Sequence, residues 1–144
     1  MKKLIMLLLT FCMIFSVCSF ASDITVVVDG KTLAPDVPPI IVEGRTMVPM
    51  RIIFEELGAD VTWIAESQMI RATYKELIID LKIDAKIIIV CNIATGEIKR
   101  SELDVAPFIK DGRTLVPVRA ISEALGAEVG WDNDTRTVTV KSAK

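Results

Sequence analysis

The sequence IVEGRTMVPMRIIFEELGADVTW occupies residues Ile41–Trp63, and a near copy, IKDGRTLVPVRAISEALGAEVGW, occupies Ile109–Trp131. The two segments are offset by 68 residues and are identical at 14 of 23 positions. Agreement over that length is far beyond chance, so it indicates an internal repeat. The predicted architecture is therefore two related units packed together.

Each copy begins with a predicted β-hairpin. Glu43-Gly44 and Asp111-Gly112 lie between short apolar runs, a setting typical of two-residue hairpin turns because glycine tolerates positive φ. The acidic-glycine pair is the stronger turn signal when the acid is aspartate. The paired strands are expected at residues 39–42 with 46–48, and at 108–110 with 114–116.

A short helix is predicted after each hairpin. Pro49 and Pro117 end the strands and are expected at the first helical position, because proline fixes φ and has no N–H. The helices are predicted over 50–57 and 118–125, where apolar residues recur at spacings of 3, 4 and 7. Gly58 and Gly126 then follow as C-terminal caps.

The flanking segments complete the predicted fold. Strands are expected at 59–63, 69–74, 127–131 and 136–140, with hairpins around Asp29-Gly30 and Asp84-Ala85. Residues 93–104 break the pattern and predict a loop or a distorted hairpin. The predicted fold class is α+β, with two ββαββ-like repeats at about 24–74 and 77–140 whose antiparallel sheets pack on two short helices.

The N-terminus predicts an export signal. Lys2 and Lys3 precede an apolar run over 4–20 that ends in small residues, so residues 1–21 are expected to be a signal peptide cut after Ala21. An uncleaved membrane anchor and lipid attachment at Cys18 are the alternatives. The mature chain, 22–144, is expected to be secreted or at the cell surface, with no further membrane span.

Composition excludes several classes of function. The mature chain has a formal net charge of −4, which does not favour nucleic acid as a partner. Cys91 is its one cysteine and is expected to be a buried, inert thiol. The absence of histidine removes the usual metal ligands and the Ser-His and Cys-His nucleophile pairs. No metal, cofactor or catalytic residue is therefore predicted.

The segment DGRTLVPVRAISEALGAEVGWDNDTRTVTV resembles the copper amine oxidase N-terminal domain, also called the stalk domain. The segment VDGKTL, followed by PPIIVEGRTMVPMRIIFEELGADVTW, is similar to its first half, so the resemblance covers about 24–140. It implies a secreted or cell-surface bacterial module. It carries no amine oxidase activity, because the oxidase's separate catalytic domain needs histidine copper ligands and a tyrosine-derived quinone.

Six side chains are candidate ligand contacts, and each has a structural alternative. Arg51 and Arg119 precede a glutamate by four residues, so they could form an anion site or, as we favour, clamp that glutamate and nearby carbonyls. The hairpin residues Arg45 and Arg113 could contact a polyanion, but a solvated turn is favoured. The tryptophans Trp63 and Trp131 could stack on sugars, although closure of the core is the favoured interpretation.

The expected function is a non-catalytic interaction or scaffold module of the cell envelope. The alternative is a carbohydrate- or peptidoglycan-binding module, whose partner would be a cell-wall polymer rather than another envelope protein. A small hydrolase using carboxylates is disfavoured, because nothing in their spacing selects a facing pair. Exposed strand edges would also permit dimerisation.

Overall fold

The computed structural model describes residues 23–143, so the predicted signal peptide lies outside the described residues. The described part contains two helices, α1 (Met50–Glu56) and α2 (Val118–Ala124). Its strands are β1 (Thr25–Val28), β2 (Lys31–Leu33), β3 (Ile40–Val42), β4 (Arg45–Pro49), β5 (Asp60–Ile64), β6 (Met69–Tyr74), β7 (Leu77–Lys82), β8 (Ile87–Asn92), β9 (Ile98–Glu102), β10 (Phe108–Lys110), β11 (Arg113–Pro117), β12 (Glu128–Asp132) and β13 (Thr137–Lys141). Mostly antiparallel strands with two short helices confirm the predicted α+β class.

The strands form three sheets. Sheet I has the order β12-β13-β1-β2, sheet II has the order β10-β11-β4-β3, and sheet III has the order β5-β6-β7-β8-β9. Every pairing is antiparallel except that of β1 with β13, which is parallel. The first hairpin of the described chain is thereby joined to its last strand.

Sheet II connects the two copies of the repeated sequence. Where β4 pairs with β11, Val48 lies opposite Val116, and the neighbouring pairs are Met47 with Pro117 and Pro49 with Leu115. Residues 68 positions apart are equivalent in the repeated sequence. Val48 is therefore opposite its own counterpart, and the pair Met47–Pro117 is equivalent to the pair Pro49–Leu115. Exchanging the two strands would therefore leave this register unchanged.

The outer sheets have related layouts. In sheet I the two strands that follow α2 pair with the hairpin β1–β2, and in sheet III the two strands that follow α1 are joined to the hairpin β8–β9. The difference is β7, which lies between β6 and β8 in sheet III. Each outer sheet thus combines strands from both halves of the chain, with two from each half in sheet I, and two from the first half and three from the second in sheet III.

The prolines that start the helices differ slightly from the prediction. Pro49 has φ −59° and ψ 117°, so it is the last extended residue and the N-cap rather than the first helical residue. Pro117 is the same, with φ −64° and ψ 111°. The physical reason is sheet II, because both prolines are paired there and pairing requires extended backbone. No side chain caps either helix N-terminus.

The glycine caps are confirmed. Gly58 has φ +90° and Gly126 has φ +76°, a region that glycine enters without steric cost. The N–H groups that follow them fold back on the helices, with Ala59 N donating to Phe54 O at 2.8 Å and Ala127 N donating to Ser122 O at 2.9 Å. These bonds satisfy carbonyls at the helix ends and direct the chain into β5 and β12.

The two faces of sheet II cover different cores. Val48 and Val116 contribute to the main core with both helices, where Phe54 and Ile121 are fully buried. The neighbouring residues on β4 and β11 point the other way, as alternation along a strand requires. They form a second cluster of Val37, Met47, Val105 and Leu115.

Two further expectations concern β8 and β9. Residues 93–104 form a hairpin, because β9 pairs with β8 and the Asn92 carboxamide oxygen accepts hydrogen bonds from Ala94 N and Thr95 N at 3.0 and 3.1 Å.

Cys91 is half-buried, so the expectation of a buried thiol was wrong. It lies near the end of β8, opposite Ile98 of β9, whose side chain is 62% exposed. In residues 23–143 no helix has the length and apolarity needed to span a bilayer.

Candidate functional site

The six predicted contact residues come together in two grooves. Arg45, Arg119 and Trp131 line a groove of about 480 Å³, named here the Trp131 groove. The other three line a groove of about 650 Å³, named here the Trp63 groove. Both volumes are in the range of small-ligand sites, roughly 300–1,000 Å³.

The two grooves are built from equivalent positions. Eleven residues of the Trp131 groove have a counterpart, 68 positions away, in the Trp63 groove. They are Ile41, Gly44, Arg45, Thr46, Asp104, Pro117, Val118, Arg119, Val129, Trp131 and Val138, matched by Ile109, Gly112, Arg113, Thr114, Asp36, Pro49, Met50, Arg51, Val61, Trp63 and Ile70. The β4–β11 pairing places the hairpin of one half beside the helix and strands of the other. Each groove therefore takes residues from both halves.

The tryptophans are exposed, so the prediction that they close the core was wrong. Trp131 is 37% exposed and Trp63 is 40% exposed. Trp131 nevertheless lies on the core-facing side of β12, because it is directly opposite the buried Val138. A helix of seven residues is about 10 Å long, whereas a strand of five residues spans about 17 Å. Each strand is therefore longer than the helix it packs against, and each indole lies in a groove that the start of that helix also lines, at Val118 for Trp131 and at Met50 for Trp63.

Arg45 and Arg113 are paired, which corrects the prediction of a merely solvated turn. Arg45 Nε donates to Asp104 Oδ2 at 2.6 Å. Arg113 donates to both oxygens of Asp36, from Nε at 3.2 Å and from Nη2 at 2.6 Å. In both pairs the acid belongs to the other half of the chain. Asp36 was not predicted as a site residue, although its offset of 68 from Asp104 was a usable signal.

The ion pair with Arg113 alters the acidity of Asp36. The hydrogen bond from the Arg113 side chain is the main cause of a pKa below the ordinary 3.8 of an aspartate. The pair is exposed to solvent, with side-chain exposures of 51% and 60%. Its contribution is therefore chiefly to orient the hairpin and the groove wall, because exposed ion pairs add little stability.

Arg51 and Arg119 occupy equivalent positions but have different partners. Arg51 Nη1 donates to Glu55 Oε1 and to Val61 O, both at 3.1 Å, which confirms the predicted structural clamp. Arg119 is exposed and has no ion pair or side-chain hydrogen bond with any residue between 23 and 143. The clamp predicted between Arg119 and Glu123 was wrong, so one guanidinium of the Trp131 groove is uncommitted.

Arg136 also lines the Trp131 groove and was not predicted as a contact. It has φ +50°, and its carbonyl accepts a hydrogen bond from Thr25 N at 3.0 Å. Its Nε is buried and has no partner in the described part of the chain. The repeated sequence gave no signal for this residue, because its counterpart is Gln68 and not a second arginine. Gln68 does not line the Trp63 groove.

The grooves consequently differ in charge. The Trp131 groove has three arginines and one carboxylate, a formal net charge of +2. The Trp63 groove has two arginines and two carboxylates, a formal net charge of zero. Both offer an indole face and hydrogen-bond donors. Among residues 23–143, no three His, Cys, Asp or Glu side chains are grouped as a metal site would require.

Comparison with known proteins gives one family. The comparison with curated proteins finds no match. The family model described as the copper amine oxidase N-terminal domain matches residues 27–140, which include both copies of the repeated sequence, both grooves and nearly all of the three sheets. This match confirms the resemblance seen in the sequence. The chain belongs to the copper amine oxidase N-terminal domain family.

Proposed function

We propose that this protein is a non-catalytic interaction module of the cell envelope, secreted or held at the cell surface. The observation that carries the proposal is the convergence of one exposed tryptophan and at least two arginines in each of two grooves built from equivalent positions. An indole at a groove wall with arginines beside it is a composition typical of binding sites. The location rests on the predicted signal peptide at residues 1–21.

We further propose that the fold consists of two ββαββ-like repeats, about 24–74 and 77–140, related by an approximate two-fold axis. Support comes from the symmetric register of β4 with β11 and from the eleven equivalent positions in the grooves. In this proposal the repeats exchange strand pairs in sheets I and III. Two related grooves on one module would then offer two binding points of unequal charge.

The second candidate function is binding of a carbohydrate polymer of the cell wall, and it is a special case of the first. The exposed Trp63 and Trp131 favour it, because a flat aromatic face can stack on the apolar face of a sugar ring. Another envelope protein is the competing partner. The exposed edge strands of sheets II and III would serve such a partner or a second copy of the chain.

The test is retention of the purified protein on purified cell walls at low salt. Wild type is expected to be retained, and the double variant W63A/W131A is expected to be released. The matched control is Ile98→Ala, which removes an exposed apolar side chain (62%) outside both grooves. Retention that is absent in wild type, or unchanged in the double variant, would overturn the proposal.

A further inference from the structure

The Trp131 groove differs from the Trp63 groove at the residues that face a ligand. In the Trp63 groove, Arg51 is held by Glu55 and a carbonyl, and Arg113 is held by both oxygens of Asp36. Both guanidiniums are therefore already neutralised. In the Trp131 groove, Arg45 is similarly held by Asp104, but Arg119 has no partner among the described residues.

Arg136 adds a second unsatisfied group to the Trp131 groove. Its Nε lacks a hydrogen-bond partner in the described structure although the atom is buried. A buried Nε is out of reach of a ligand, so what Arg136 offers the groove is the positive charge of its guanidinium. Arg119 and Arg136 together place an excess positive charge next to Trp131.

Charge and shape together indicate the class of ligand. A guanidinium binds a carboxylate or a phosphate through two parallel hydrogen bonds, so the arginines favour an anionic group of that kind. The exposed indole, next to Ile41 (46% exposed), favours a flat group with an apolar face. A sugar ring that bears a carboxylate combines both features. The chain as a whole is acidic, so it would repel such a ligand everywhere except at a local cationic site.

We propose that the Trp131 groove binds an acidic saccharide, with a sugar ring stacked on Trp131 and its carboxylate bound by Arg119 and Arg136, and that the Trp63 groove does not. This proposal rests on the proposed interaction function and adds the ligand class and the groove. The two grooves are expected to differ in ligand binding because they share eleven equivalent positions but differ in free cationic groups.

The experiment is a calorimetric titration of the purified protein with oligogalacturonate, a neutral cello-oligosaccharide of equal length and poly-L-glutamate. Oligogalacturonate is expected to bind, and R119A and W131A are each expected to weaken it by about tenfold or more. The matched control R100A removes an exposed arginine outside both grooves and is expected to leave binding unchanged. R51A and W63A, in the Trp63 groove, are expected to weaken it much less than R119A and W131A do. R119K is expected to bind weakly, since lysine keeps the charge but loses the fork.

Several results would overturn the inference. One is a failure of oligogalacturonate to bind, and another is equal binding of the neutral oligosaccharide. The others are a loss of affinity in R51A and W63A equal to that in R119A and W131A, and binding of poly-L-glutamate that W131A does not affect. Arg119 is exposed and makes no ion pair or side-chain hydrogen bond with residues 23–143, so R119A tests the inference even if W131A does not fold. Retention on cell walls without oligogalacturonate binding would reject this inference and leave the proposed function standing. Binding of oligogalacturonate without retention on cell walls would reject the proposed function and leave this inference standing.

Discussion

Val48 lies directly opposite Val116 where β4 pairs with β11, and the two valines occupy the same position in the repeated sequence. Each is 1% exposed and contributes to the main core. The pairing is also what brings the hairpin of each half to the helix of the other. The same contact therefore supports both the core and the two grooves.

Val48→Ala and Val116→Ala are expected to destabilise the protein equally. Each removes two methyl groups from an equally buried site, at a cost of about 2 kcal/mol in the free energy of unfolding. Urea denaturation measures the change. The exposed control Ile98→Ala should change stability by less than about 0.5 kcal/mol. A large loss in one valine variant and none in the other would show that the two environments are not equivalent.

The equivalent helix positions Phe54 and Ser122 are expected to respond in opposite directions to alanine. Both are fully buried, but the Ser122 hydroxyl has no hydrogen-bond partner in the described structure. Ser122→Ala removes an unsatisfied polar group and should stabilise by about 1 kcal/mol. Phe54→Ala leaves a cavity and should cost about 3–5 kcal/mol. Thermal and urea unfolding measure both, and a destabilised S122A would mean that the hydroxyl is satisfied.

The two tryptophans are expected to differ in their response to an ionic quencher. W63F leaves Trp131 in the cationic groove, and W131F leaves Trp63 in the neutral groove. Both should emit at long wavelength, because each indole is more than a third exposed. Iodide, an anion, should quench Trp131 more than Trp63, and caesium should reverse the order. Equal quenching by iodide would contradict the assigned charges, whereas blue-shifted, unquenched emission would contradict the exposure.

Acid is expected to weaken the protein partly through Asp36. Its pKa is lowered in the folded state by the hydrogen bond from Arg113, so its contribution to stability is present above about pH 3.8 and is lost as the pH falls through the folded pKa. Asp36→Asn should therefore reduce the fall in urea midpoint between neutral pH and acidic pH below 3.8. Asp134→Asn, which alters a carboxylate that accepts no side-chain hydrogen bond among those described, serves as the control.

Some acid dependence should remain in D36N. The pKa of Asp29 is lowered chiefly by the hydrogen bond from Ser142 N, and that of Asp132 chiefly by the one from Thr135 N. Each carboxylate loses these bonds as the pH falls through its own lowered pKa. If the urea midpoint of D36N depends on pH as that of wild type does, Asp36 does not contribute to the acid dependence, and Asp29 and Asp132 remain as its sources.

The sequence predicted those parts of the fold that depend on neighbouring residues. The hairpins at Gly44 and Gly112, both helices and their glycine caps lie within a residue or two of their expected positions, since turn chemistry and apolar spacing are local. The parallel pairing of β1 with β13 was not predictable in this way. Its residues are more than a hundred positions apart, and no local pattern records their contact.

The features of the candidate site also divide into those that the sequence predicted and those that only the structure revealed. The sequence selected the six contact residues by their types and by their repetition, but it favoured tryptophans that close the core. It did not determine that the tryptophans are exposed in grooves, that Asp36 and Asp104 pair with arginines of the other half, or that Arg136 lines one groove alone. By itself the sequence determined the local elements and their duplication, because these follow from short-range chemistry. Only the tertiary structure decided which residues share a groove and which arginines remain free, because both depend on how the two halves pack.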